Sequence, residues 1–148
     1  MKFLLTGLLS ICLSFSMANA QIRNVPTEVK STIHLQFPNA KHIDYSDYLA
    51  YYQVKFINND SATTVIITNK GKIKATSVSM KYDDLPSAVK DGFKKSKYAD
   101  WKVKDVARYY QPDQPMQYEI NASGESFLSK KNLFFSRDGQ LLSDKQVL

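Results

Sequence analysis

The sequence predicts an α+β fold in which a short helix followed by about four antiparallel strands occurs twice, as two tandem helix-plus-antiparallel-sheet units. Three observations predict it. A short segment recurs sixty positions on, the apolar period drops from near four to two after each copy, and turn residues separate the period-two stretches from one another.

The recurring segment is Val25-Pro26-Thr27-Glu28-Val29-Lys30, matched by Leu85-Pro86-Ser87-Ala88-Val89-Lys90. Each copy reads as a helix start, since proline at the first helical position gives up an N–H that needs no partner there. Val29, Ile33 and Phe37 share one face, as do Val89 and Phe93, and Pro38 stops the first helix. Lys94, Lys95 and Lys97 suit the C-terminal end of the second.

Strand signals come after each helix. Tyr52, Val54 and Phe56 alternate with polar residues, Asn58-Asn59-Asp60-Ser61 is turn material, and Thr64–Thr68 is a β-branched run. Asn69-Lys70-Gly71 then turns the chain into Ile73, Ala75 and Ser77. In the second copy Tyr118 and Ile120 alternate, Phe127–Phe135 runs on, and Asp138-Gly139 marks a hairpin before Leu141 and Leu142. Ile43–Tyr45 and Trp101–Val103 add a short strand to each copy. The units span residues 21–82 and 83–148, and the join, Met80–Asp84, is too short for a flexible linker. A shared core or an extended sheet is therefore expected, with oligomeric state left open.

Residues 1–20 are a different material. Lys2 is followed by an apolar run from Phe3 to Met17 and by the small residues of Ala18-Asn19-Ala20, the layout of a signal peptide cleaved before Gln21. The run is short of the ~20 residues that span a bilayer, so no membrane span is expected after cleavage. Cys12 follows Ile11 inside the apolar stretch, so it reads as part of the leader rather than as a lipid attachment point. The mature chain then has no cysteine, which excludes disulfides, thiolate nucleophiles and cysteine metal sites.

The formal charge is +6, and loss of Lys2 leaves 19 basic residues against 14 acidic ones. In an exported chain this reads as solubility or attraction to anionic surfaces, not as nucleic-acid binding.

These segments, together with Phe37-Pro38-Asn39-Ala40, Tyr52–Phe56 as Tyr-x-Val-x-Phe and Lys70–Ile73 as Lys-Gly-Lys-Ile, resemble the PepSY-like periplasmic proteins common in Bacteroidetes. These are grouped by fold with the β-lactamase-inhibitor protein, and the resemblance covers Val25–Leu148. It implies an antiparallel sheet carrying helices, an exported location and a non-catalytic role. No site residue transfers from it, because its motifs determine fold rather than chemistry. The second copy departs from the pattern at Tyr98-Ala99-Asp100-Trp101 and in a longer Tyr109–Pro115 approach.

The catalytic inventory is thin. The only histidines are His34 and His42, and no nucleophile elbow, zinc-protease or phosphate-loop pattern occurs. No enzyme and no cofactor is expected. His34, His42 and Asp44 lack the tight spacing of a zinc site, and Asn58–Ser61 lacks the acidic ligands of a calcium loop. Recognition is better supported. Nine tyrosines and eight phenylalanines are many for this length, and Tyr48, Tyr51, Tyr109 and Tyr110 lie in or beside loops. Lys70, Lys72 and Lys74 alternate with Ile73 and Ala75, the pattern of a basic row on one sheet face, beside Lys55. Such a row is most often simply the wetted side of a sheet. The reading is an exported binding module for a protein or envelope component, working through its sheet face and tyrosine-bearing loops. A small-ligand or metal-sensing protein is the alternative, and an inhibitor of a secreted enzyme rests on fold analogy alone.

Overall fold

The computed structural model of the chain describes residues 24–126 and 129–147. The leader, Cys12 and the start of the Phe127–Phe135 run lie outside them. The order is α1 (Thr27–Gln36), β1 (Lys41–Asp47), β2 (Tyr51–Asn58), β3 (Ser61–Thr68) and β4 (Ile73–Met80), then a single 3₁₀ turn at Tyr82–Asp84. It continues with α2 (Ser87–Lys94), β5 (Lys102–Tyr110), β6 (Gln117–Ser123), β7 (Lys130–Phe135) and β8 (Leu141–Gln146). Pro26 and Pro86 stand one residue before their helices, in extended backbone, rather than at the first helical position. Proline's fixed φ is compatible with both places.

All eight strands form one antiparallel sheet in sequence order. The extended sheet is thus what joins the two halves, through β4 against β5 from Thr76↔Tyr110 to Met80↔Val106. Both helices cover the same face of it. Val29 and Ile33 of α1 pack on Tyr52, Val54, Phe56, Val65 and Ile67. Val89 and Phe93 of α2 pack on Val106, Tyr118, Ile120, Leu133 and Phe135, with Leu85 and Tyr98 at the margin. Each such side chain contributes about 1.5–3 kcal/mol when fully buried, so these two clusters dominate the stability.

The two halves use the same devices at their last hairpins. In the turn after β3, the Thr68 N–H donates to Lys72 O, the Gly71 N–H to Thr68 O, and the Lys72 N–H to Thr68 Oγ1. In the turn after β7, Ser136, Gly139 and Gln140 make the same three bonds. Only the glycine is left-handed in each, with φ +76 at Gly71 and +84 at Gly139, which makes these three-residue loops ending in a left-handed glycine. Each helix lies on its glycine. A Cβ on Gly71 would come within 2.8 Å of Glu28 O and Thr32 Oγ1, whereas one on Gly139 would come within 2.0 Å of Ala88 O. A Cβ on Gly92 would fall 1.9 Å from Gly139 O, so α2 sits on its hairpin through two glycines. The turn after β2 is different: Asn59 and Asp60 both take positive φ, giving the tight two-residue hairpin its polar residues favour.

The expected row of Lys70, Lys72 and Lys74 does not form. Lys70 lies in the turn and Lys72 before the strand. The register shifts where Ile66 pairs with Ala75 but Ile67 with Ile73, so Lys74 is the extra residue of a bulge. A bulge inverts the alternation beyond it. Ile73 therefore packs toward α1 while Ala75 turns to the open face. The three lysines are exposed, but they do not share a strand face.

Candidate functional site

The face of the sheet away from the helices holds a groove of about 680 Å³. Its cause is legible in the residues. The central strands carry small side chains there, Ala75 and Ser77 on β4 and Ala107 on β5, between larger ones on the flanks, Tyr51 on β2 and Phe134 on β7. Register lines the groove up in rows. Lys55, Thr64, Ser77 and Tyr109 form one, and Ala107, Glu119 and Phe134 the next.

The second half of the groove is a built cluster. The Tyr109 and Phe134 rings lie 4.7 Å apart, and Lys145 Nζ sits 5.1 Å from the Phe134 centroid. Phe134 is only 3% exposed although it faces away from the helices. Glu119 lies beside it, its carboxylate accepting a 2.9 Å bond from the Ser77 hydroxyl. Burial pushes the Glu119 carboxyl above its ordinary value, while the Ser77 bond and the Lys145 charge oppose the shift. Burial, and then the Glu119 charge, push the Tyr109 phenol up as well. Asn121 Nδ2 donates to Asn132 Oδ1 at 2.6 Å in the next row.

At the far end of the groove, Tyr48 and Tyr51 stack with centroids 5.1 Å apart and planes 9° apart. The loop that carries them is held by side chains. Asp47 accepts the Leu49 N–H at 2.7 Å and the Tyr52 hydroxyl at 3.2 Å, and Asn69 Nδ2 donates to Leu49 O at 2.9 Å. Leu49 is left-handed at φ 65 and 76% exposed. Such a conformation persists only where the surroundings fix it.

The structure thus divides the tyrosines named from sequence. Tyr51 and Tyr109 line the groove, and Tyr48 extends its rim through the stack on Tyr51. Tyr110 does not belong. As the last residue of β5 it points opposite to Tyr109, onto the helix-bearing face, and pairs with Thr76. Of the basic residues, Lys70, Lys72 and Lys74 lie off the groove, and Lys55 and Lys145 line it. The sequence reading missed Glu119, Ser77, Phe134 and Lys145. The signal was present: Tyr118 and Ile120 point inward, so Glu119 must point out, and an unbroken Leu133-Phe134-Phe135 run requires cover on both faces. His34, His42 and Asp44 are exposed, and among the described residues no three His, Cys, Asp or Glu side chains converge. No helix among them is long and apolar enough to cross a membrane.

No family model and no curated protein matches the chain in sequence. Solved structures do match in fold. A BLIP-like protein from Bacteroides fragilis is 25% identical, with TM-score 0.67 over 82% of this chain and 86% of its own. A DUF2874 family protein from Bacteroides ovatus is 26% identical, with TM-score 0.69 over 82% and 87%. A protein of Bacteroides eggerthii inferred to be periplasmic is 23% identical, with TM-score 0.71 over 83% and 89%. The chain therefore shares the fold of BLIP-like and DUF2874 proteins of Bacteroides across nearly all of its described length.

Proposed function

We propose that this is an exported, non-catalytic binding protein that captures a protein or another envelope component on the open face of its sheet. The observation that carries the reading is the groove itself. Aromatic residues stand at both ends of it, and an acidic side chain is held half-buried on a face that would otherwise be simply wetted. The Tyr48–Tyr51 stack supplies large contact area from side chains with few rotatable bonds to fix on binding. Export is proposed from the leader-like residues 1–20 and is supported by the Bacteroides neighbour inferred to be periplasmic. The matching hairpins and helix–glycine contacts support two copies of one unit, joined near residue 82. The PepSY-like grouping belongs to this proposal too.

The test is capture from envelope extract with the chain from Gln21 onward as bait. Tyr51→Ala/Tyr109→Ala is expected to lose the captured component while unfolding at nearly the same temperature. Equal recovery by the double variant contradicts the reading. Export is checked separately by the mass of the protein recovered from its host, and retention of Met1 overturns it. A small-ligand reading has one observation in its favour, since the groove volume lies in the range of small-molecule sites. A compound bound there raises the unfolding temperature, which a protein-only surface does not require. Inhibition of a secreted enzyme, suggested by the BLIP-like neighbour, predicts that the captured component is an enzyme losing activity in the complex.

A further inference from the structure

We propose that Glu119 is the point at which the groove reads its partner, and that it receives a basic side chain, an arginine or a lysine, of a bound protein. This rests on the open face being the binding surface and adds the chemistry recognised there. Charge and geometry carry it. Glu119 has Ala107 and Phe134 as its cross-strand neighbours, so no cation stands directly opposite it. The Ser77 hydroxyl fixes one carboxylate oxygen at 2.9 Å and thereby aims the group.

A carboxylate held partly out of water beside Ala107 and Phe134 is costly, and the Ser77 bond and the Lys145 charge offset that cost only in part, which leaves room for a further positive group. The chain contains its own example of such a group in this place. Lys145 reaches from β8 and rests over Phe134 at 5.1 Å, where its charge is felt by Glu119. Asp105, two residues from Ala107 on β5, adds a second acid to the same groove. The half-buried Tyr109 ring beside the carboxylate offers flat surface to a guanidinium or to the stem of a lysine. An acidic side chain placed there would be repelled by Glu119, and a neutral sugar would add no positive charge to that of Lys145.

The probes are three capped pentapeptides, glycine throughout except for a central Arg, Gln or Glu, titrated into the mature chain and followed by amide chemical shifts. The Arg peptide is expected to shift Glu119, Ser77 and Tyr109 saturably, with affinity in the millimolar range or better. The Gln and Glu peptides are expected to leave them unmoved, and Glu119→Gln is expected to weaken the Arg peptide about tenfold, the loss of one charge-assisted bond. Absence of saturable shifts with the Arg peptide overturns the inference, and so does equal binding by Glu119→Gln. Specific binding of a neutral oligosaccharide at the same residues, unaffected by Glu119→Gln, overturns it as well. The two readings fail differently. If capture from extract is lost in Tyr51→Ala/Tyr109→Ala but kept in Glu119→Gln, the groove binds and this inference falls. If neither variant changes capture, both fall.

Discussion

The two faces of the sheet solve different problems, and one tripeptide shows it. Leu133 and Phe135 go down among Val89, Phe93 and Ile120, while Phe134 between them faces the groove and is buried all the same. The helix-bearing face gains stability chiefly from apolar side chains, with few polar groups such as the Tyr52 hydroxyl to satisfy. The open face buries an aromatic ring under a lysine and keeps a carboxylate partly out of water beside it. The difference is also uneven along the sheet. Around β2 and β3 the open face carries the polar Gln53, Lys55 and Thr64 beside Tyr51 and Ile66, and the built cluster belongs to β4–β8.

The comparison can be broken hardest on the covered face. Phe135→Ala is expected to cost about 4 kcal/mol in chemical denaturation, whereas Tyr51→Ala on the open face is expected to cost about 1 kcal/mol or less. Similar losses would mean that both faces serve the fold equally. The hairpin glycines come next. Gly139→Ala forces a Cβ within 2.0 Å of Ala88 O, and a loss of about 3 kcal/mol is expected. Gly71→Ala has more room, with its nearest contacts at 2.8 Å, and the loss is expected to be smaller. A reversed order would show that α1, rather than α2, is the more tightly seated helix.

Two carboxylates sharpen the contrast through pH. Asp144 at the sheet edge pairs with Lys131 and with Lys97 at 3.4 Å, and these groups with Tyr98 lower its pKa to about 2. Its folded value lies below its unfolded one, so its stabilisation is present above the unfolded pKa and is lost as pH falls toward 2. Asp144→Asn is expected to cost roughly 1 kcal/mol at neutral pH, and the cost is expected to fade as pH falls through about 2. Glu119 runs the other way. Its folded value is raised, so its favourable contribution is full below the unfolded pKa and disappears as pH rises through the folded one. Glu119→Gln is therefore expected to be as stable as the parent or slightly more so at neutral pH, and to lose that advantage on acidification. Thermal unfolding of both variants across the acid range checks the two signs together.

Much of the covered face was legible in the sequence. Val29 and Ile33, Val54 and Phe56, and Tyr118 and Ile120 declare their burial by period, and each falls in a core cluster. The Asn58–Ser61 and Asp138-Gly139 turns declare themselves by residue type. The open face was harder to read, because what matters there is register, and bulges set register. The bulge at Lys74 dispersed the lysine row, and the end of β5 at Tyr110 divided the tyrosine pair between the two faces. The alternation of Tyr118 and Ile120 places Glu119 on the open face but does not single it out there. Its importance comes from Ser77, forty-two residues away in sequence, and from Phe134 on the next strand.

The most direct measurement sets one face against the other in a single binding experiment. Envelope extract is offered to the chain from Gln21 onward, to its Tyr51→Ala/Tyr109→Ala variant on the open face, and to its Tyr110→Ala variant on the helix-bearing face, with unfolding temperatures recorded for all three. Loss of the captured component in the first variant alone, with all three folded, is the expected result. Loss in Tyr110→Ala with full recovery by the open-face variant would place binding on the other side of the sheet and contradict the account.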